Sequence, residues 1–557
     1  MGLEYRYIPE REYESYEDFK ANYRLNIPEN FNFGYDIIDG WAEQDPGHPA
    51  LLWCDDHGNR RTYPFGDLKR ESDKAANVFA KLGVKKGDFV LLLLKQRPEA
   101  WISIIALIKL GAVCIPATFQ LTPKDIEYRV KAANIRVIAA VDEAEIVGHI
   151  DAVREKCPTL AHIALVGDDP IDETRYVNFR KEMAGASEVW TRPTGDAATC
   201  NTDPMLVYFT SGTSGMPKMV LHDFTYPLGH IVTAKYWHRV QDGGRHLVMA
   251  DSGWAKFGWG KIFGQWICGA VIVGYDNDKF DPVKTLELMN ELQLTTFCAP
   301  PTVYRFLIKA DLSLCDFSSI RHCTIAGEPL NPEVFYRFKE ATGLEVTEGF
   351  GQSETNVMLA NYQWFPIKPG SMGKPSPLFD IDIVDEDGNS CEDGIVGTIV
   401  VRNADRHPAG LFREYYQAPE ANAKSFRNGM YSTGDTAWRD ADGYYWFVGR
   451  NDDVIKCSGY RIGPFEVESA LLTHPAVLEC AVTAVPDPIR GQVVKATVVL
   501  FGDNQPSEEL KKELQNHVKR TTAPYKYPRV VEFVKELPKT SSGKIRRVQI
   551  RQEDAAK

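Results

Sequence analysis

The chain has 557 residues, 44% of them hydrophobic and 25% charged, more than one hydrophobic core usually holds, so two or more domains are expected. Its 64 basic residues against 76 acidic ones give a net charge of -12, which argues against a surface built to neutralise nucleic-acid phosphates and points to small-molecule partners. Eleven cysteines, scattered from Cys54 to Cys480 without a CxxC, signal neither a zinc site nor a disulfide framework and are expected to be reduced and mostly buried.

The N-terminal MGLEYRYIPEREYESYEDF has no apolar core for a signal peptide, and Arg6 stands where a myristoylation signal would want Ser or Thr. Trp101 to Pro116 is apolar but broken by Lys109 and Gly111. It falls short of the roughly 20 residues of a spanning helix and reads as a buried helix running into a strand. A cytoplasmic protein without a membrane partner is expected. From about Tyr35 to Val448, β-rich runs alternate with helical patterns, as in FVLLLL before PEAWISIIALIKLG, which predicts a large α/β body. Within it, residues 379–446 read as a small β subdomain with Asp-Gly turns at Asp387, Asp393 and Asp442. DEDGNSCEDGIV lacks the glycine and the bidentate Glu of a calcium loop and reads as a hairpin. A polar run at Asp452 separates residues 1–451 from a compact α+β domain over 452–557.

Five loops carry the chemistry, and in open parallel sheets ligands bind beyond the carboxyl ends of strands. The strand MLVYF opens into Thr210 to Lys218, TSGTSGMPK: hydroxyls and glycines whose N–H groups can wrap an anion, closed by a lysine. A Gly/Ser hairpin with a chance lysine has the same composition, and a Walker loop is excluded because GxxxxGK[ST] is absent. TIAGEPL follows the next informative strand. In EGFGQSETN, Glu354 occupies the place of the third glycine of a dinucleotide fingerprint, which weakens that reading. YSTGD ends in Asp435, a carboxylate able to accept hydrogen bonds from vicinal hydroxyls. PKTSSGKIRR carries Lys544, by itself no more than a lysine in a basic tail.

In their order and over nearly the whole chain, these motifs resemble the adenylate-forming superfamily of acyl-CoA synthetases, nonribosomal adenylation domains and luciferases, and within it the medium-chain acyl-CoA synthetases. The resemblance implies an acid-thiol ligase that uses ATP, Mg2+ and coenzyme A, with a large N-terminal domain of two α/β subdomains and a β subdomain, and a mobile C-terminal domain. Thr210, Ser211, Gly212, Thr213, Ser214, Gly215 and Lys218 would grip the ATP phosphates. Gly327, Glu328 and Pro329 would lie against adenine, and Gly351, Gln352 and Ser353 beside the nucleotide. Glu354 would hold Mg2+, Asp435 and Arg450 the ribose, and Arg461 the phosphates. Lys544 matches the catalytic lysine, which would stabilise the charge that builds as a carboxylate attacks the α-phosphorus. Asp452 matches the hinge about which the small domain turns, bringing Ser458, Gly459 and Tyr460 to a channel for the CoA thiol. Cys457 has no His or carboxylate in a recognisable constellation and is read as a bystander.

Acetate-specific relatives carry a tryptophan where this chain has Gly351, so the glycine is expected to open the acyl pocket, and Gly351→Trp to shift preference toward acetate. Trp237, Trp254, Ala255, Lys256, Trp259, Cys298 and Ala326 fall at family pocket positions, the tryptophans being equally well explained by core packing. Lys256 would line the pocket with its methylenes or lie on the surface. A short branched, medium-chain or small aromatic acid is expected, and a homodimer is the working expectation for assembly. Two rival readings stay open: an enzyme loading a carrier protein, although no Gly-Gly-x-Ser carrier segment occurs, and a non-catalytic nucleotide-binding regulator.

Overall fold

The computed structural model describes residues 2–9, 12–168, 170–210, 216–457, 460–488, 490–539 and 545–556. Its strands form four sheets. The first has eight strands, in the order 414–415, 218–223, 204–210, 113–116, 89–93, 137–141, 162–166 and 177–178, all in one direction except 218–223, which is antiparallel to both its neighbours. The second has nine, with a parallel centre of 346–350, 322–325, 296–299, 245–248, 271–276 and 49–55, and antiparallel strands at both edges. Uninterrupted apolar runs such as Val137–Val141 and Val271–Asp276 are buried along their whole length, as strands covered on both faces must be.

Helix Pro98–Leu110 is buried at every residue, with Pro98 in its first turn and Gly111 ending it at φ +74° before strand Val113–Pro116. The helix-into-strand reading of this stretch is borne out. Of its two charges, Glu99 pairs with Arg180 at 2.6 Å, and Lys109 is fully buried and held by Asp39 at 2.7 Å and Asp73 at 2.6 Å. Removing Lys109 would leave two buried carboxylates without their shared cation.

The third sheet takes strands 381–384, 397–401, 426–427, 430–439 and 445–450, the expected β region. Glu414–Tyr415 is an excursion from it, pairing instead with Val220–Leu221 of the first sheet. Asp385 to Ser390 forms a turn whose Asp385 Oδ1 accepts from the backbone of Asp387 and Asn389, so the calcium-like segment is a hairpin. The fourth sheet, with strands 455–457, 460–462, 477–487, 491–500 and 530–533, carries its own apolar core around Ile455, Val467, Val482 and Leu514. All eleven cysteines are free, and all but Cys200 are buried.

Candidate active site

The strand Pro204–Thr210 and the strand Lys218–Asp223 pair as a hairpin, Thr210 directly opposite Lys218. Ser211, Gly212, Thr213, Ser214 and Gly215 lie outside the described residues. Tyr128, on helix Pro123–Ala132, donates its hydroxyl to Pro217 O at 2.8 Å and ties that helix to the hairpin. Lys218 Nζ stands 4.5 Å above the ring of Tyr415. Burial lowers the Lys218 pKa, and the carboxylate of Glu354 works against that shift.

Glu354 follows strand Val346–Phe350. Tyr415 donates its hydroxyl to Glu354 Oε1 at 2.7 Å, while Phe412 N donates to the Glu354 carbonyl at 2.7 Å. The neighbouring Ser353 carbonyl receives His222 Nε2 at 2.7 Å. A carbonyl only accepts, so His222 carries its proton on Nε2, and burial takes its pKa to about 3. Glu354 thus offers one carboxylate with a single oriented oxygen, a donor set suited to Mg2+ completed by phosphate oxygens. Among the described residues no group of three or more His, Cys, Asp and Glu could hold a metal by itself.

Tyr431 to Asp435 does not form a loop. It lies inside the ten-residue strand Met430–Arg439, paired on both sides, because the alternating burial of Tyr431, Thr433 and Asp435 suits a strand and Gly434 absorbs the local bend at φ +72°. Asp435 is 5% exposed and faces Arg450 in register, with Arg450 Nε at 3.7 Å from Asp435 Oδ1. Gln352 Nε2 donates to Asp435 Oδ2 and to Thr433 O at 2.9 Å, and its Oε1 accepts from Tyr431 at 2.7 Å. Gln352 and Glu354 therefore reach two different anchors from one short turn.

Gly327 adopts φ +102°, a conformation any other residue would find strained. Glu328 Oε2 accepts from Thr302 at 3.3 Å, and Arg305 Nη2 donates to the same hydroxyl at 3.0 Å. Behind this turn Leu330 N donates to Glu348 Oε2 at 3.3 Å, and burial pushes the Glu348 carboxyl up to about 8. Sequence reasoning missed Glu348, although a carboxylate inside an apolar strand pattern was the available signal. It also missed Tyr415, Tyr431 and His222, whose roles depend on neighbours far away in the chain.

Cys298 and Ala326 lie at the ends of parallel strands Thr296–Ala299 and His322–Ile325, both buried. Trp254 and Ala255 open helix Ala255–Lys261, and the half-buried Lys256 donates its Nζ to Ala326 O at 2.8 Å. The expected vacancy at Gly351 is filled: a Cβ there would meet Trp259 Cζ2 at 2.8 Å and Cη2 closer still, as well as the Asn356 carbonyl. Gly349 has the same relation to Trp237, whose Cε2 and Cζ2 would lie 2.5 Å from a Cβ. The two indoles meet edge to face, with centroids 6.4 Å apart and planes at 84°.

Lys544, Ser458 and Gly459 lie outside the described residues. Tyr460 and Arg461 lie on strand Tyr460–Ile462, antiparallel to Ile455–Cys457. Asn451 is tied to the third sheet through Gly434 O at 2.9 Å and Thr398 Oγ1 at 3.3 Å, whereas Asp453 binds Arg551 of the C-terminal helix Arg547–Ala556. Asp452 stands between these two attachments. A separate cleft of ≈ 620 Å³, bordered by Arg6, Asp36, Asp39, Lys69 and Arg192, involves none of these residues.

Residues 38–416 match the AMP-binding enzyme family and residues 466–544 the AMP-binding enzyme C-terminal domain. The chain is 41% identical to the mitochondrial acyl-coenzyme A synthetase ACSM3 of Mus musculus, over 99% of this chain and 95% of that protein. It is 43% identical to the mitochondrial acyl-coenzyme A synthetase ACSM4 of Homo sapiens, over 96% and 93%. Among solved structures, the anthranilate CoA ligase AuaEII in complex with anthranoyl-AMP is similar with a TM-score of 0.87 and 29% identity, over 95% of this chain and 98% of that one. A benzoate CoA ligase from Burkholderia xenovorans LB400 gives 0.81 and 26%, over 94% and 100%.

Proposed function

This chain belongs to the AMP-binding enzymes, as an acyl-CoA synthetase that consumes ATP, Mg2+ and coenzyme A, and from that premise we propose how its residues share the work. A carboxylic acid attacks the α-phosphorus of ATP, pyrophosphate leaves, and the CoA thiol then displaces AMP from the acyl-adenylate. In our reading the segment from Thr210 to Lys218 holds the departing pyrophosphate. Asp435 and Arg450 hold the ribose, Gly327 to Pro329 flank adenine, and Ser353 lies beside the α-phosphate. Glu354 would hold Mg2+, which when bound would offset the charge of the triphosphate. Lys544 supplies the movable cation for the first step and is withdrawn for the second, when the small domain turns about Asp452 and Gly459 lets the pantetheine arm pass.

The observation that carries this reading is the turn bearing Gln352 and Glu354. Gln352 hydrogen-bonds Asp435, and Glu354 reaches Lys218 through Tyr415, so sugar and phosphate anchors of one nucleotide meet two residues apart.

We assign the acyl pocket to the ends of strands Thr296–Ala299 and His322–Ile325, under Trp237 and Trp259. Indole walls reward buried methylenes at about 0.8 kcal/mol each, which acetate cannot supply. Trp259 over Gly351 in turn blocks long chains. A short branched or medium-chain acid fits best. Among the described residues no helix is long and apolar enough to cross a membrane. The ACSM3 and ACSM4 relatives are named as mitochondrial; for this enzyme we propose a cytoplasmic location, which subcellular fractionation tests. A pyrophosphate-release screen over linear, branched and aromatic acids, with and without CoA, tests the whole reading. Highest kcat/KM for acetate or palmitate would overturn the pocket assignment.

A further inference from the structure

Tyr415 touches both charged ends of the phosphate site. It sits in the strand Glu414–Tyr415, opposite Val220, two residues beyond Lys218 on the hairpin. Its backbone is clamped from both sides by the Asn422 amide, which accepts from Tyr415 N at 2.7 Å and donates to Tyr415 O at 2.9 Å. Phe412 packs on its ring at 4.8 Å between centroids. One face of that ring carries Lys218 Nζ at 4.5 Å, and the hydroxyl donates to Glu354 Oε1 at 2.7 Å. The phenol is 5% exposed, and burial together with Glu354 holds its pKa far above the usual range, so it stays a donor.

Lys218 and Glu354 are opposite charges in one half-buried place, yet among the described residues they make no ion pair with each other. Paired directly, each would satisfy the other and neither would be aimed at a ligand. Each instead contacts Tyr415, whose ring gives the ammonium a π face and whose hydroxyl gives the carboxylate a hydrogen bond.

We propose that Tyr415 is a positioning residue for metal-bound ATP, keeping Lys218 and Glu354 apart and orienting the carboxylate oxygen toward the cation. The proposal rests on the reading of Lys218 and Glu354 given above. A group that orients a metal-binding carboxylate typically contributes 10–100-fold to metal affinity.

The test is calorimetric titration of ATP, without acid, into the full-length protein over a series of Mg2+ concentrations. Tyr415→Phe keeps the ring and removes only the hydroxyl. It should raise the Mg2+ concentration needed for half-maximal ATP affinity by about tenfold, with affinity restored at saturating Mg2+. Tyr415→Leu removes the spacer as well and should weaken ATP binding even at saturating Mg2+. A purely structural role would lower thermal stability without moving the Mg2+ dependence. Superimposable Mg2+ curves for Tyr415→Phe and the parent enzyme overturn the proposal. Glu354→Gln separates the two levels: if it shifts the curve while Tyr415→Phe does not, Tyr415 alone is misassigned, and if neither shifts it, the assignment of Glu354 falls too.

Discussion

The indole of Trp259 occupies the space into which any side chain at Gly351 would project, its Cζ2 2.8 Å from the position of a Cβ. Trp237 does the same at Gly349. Two glycines on one strand end thus lie flat beneath two crossed tryptophans contributed from more than 90 residues earlier. In the acyl pocket proposed above this pairing would set the width, so neither member can be changed alone without consequence.

Gly351→Ala should therefore overpack the site and cost about 1–3 kcal/mol of stability, and Gly351→Trp should fail to fold rather than become an acetate enzyme. Trp259→Leu should relieve both effects in combination with Gly351→Ala, and alone should raise kcat/KM for acids longer by two to four carbons relative to the preferred one. Thermal melts and a chain-length series check this. A well-folded, acetate-preferring Gly351→Trp enzyme would show that the indole and the glycine do not compete for space.

Acid should destabilise the enzyme well before its carboxylates titrate. Burial takes His222, His246 and His322 each to about 3 from an ordinary value near 6.5, so all three are neutral in the fold and bind protons on unfolding between those limits. Their contribution is complete above about pH 6.5 and declines by roughly 1.4 kcal/mol per pH unit for each histidine below it. Glu348, raised to about 8, opposes this, since the fold holds its proton between its ordinary value of 4.5 and 8. His230 and His238, also lowered by burial, add to the histidine side, and Asp39, Asp223, Asp251 and Asp276, raised by burial, to the carboxyl side; from pH 6.5 to 5 the five buried histidines are expected to dominate. Tm should fall steeply from pH 6.5 to 5, and a level profile over that range would contradict the burial of neutral imidazoles.

Asn451 belongs by its hydrogen bonds to the third sheet, while Asp453 is held both by Arg450 O at 2.9 Å and, through Arg551, by the C-terminal helix; the proposed hinge Asp452 lies between them. Asp452→Pro fixes φ near -65°. One half-reaction should survive and the other fall at least tenfold, with acid-dependent ATP-pyrophosphate exchange expected to be the survivor. Equal retention of both would mean that the chain turns elsewhere.

Much of the architecture is written locally. Continuous apolar strands, Pro98 and Gly111 around a buried helix, and the Asp385 turn each follow from a few adjacent residues. The motif order likewise pointed to Glu354 and Asp435, which the fold brings close to one turn, because chemistry demands particular side chains in short segments. YSTGD misled because a glycine and two hydroxyl residues look like a loop, whereas strand pairing on both sides overrides local propensity. The Trp259–Gly351 contact and the contacts of Tyr415 with Lys218 and Glu354 were not legible. Each joins residues dozens to hundreds of positions apart, and a glycine's missing side chain does not say what fills the gap.

The central claim is that one site serves two half-reactions, with Lys544 needed only for the first. The most direct measurement compares Lys544→Ala with the parent enzyme in acid-dependent ATP-pyrophosphate exchange and in thioester formation from supplied acyl-adenylate. The account predicts a loss of at least about 10²-fold in exchange, the scale of removing a cation or donor from developing charge, with thioester formation largely spared. Equal loss of both half-reactions would contradict it.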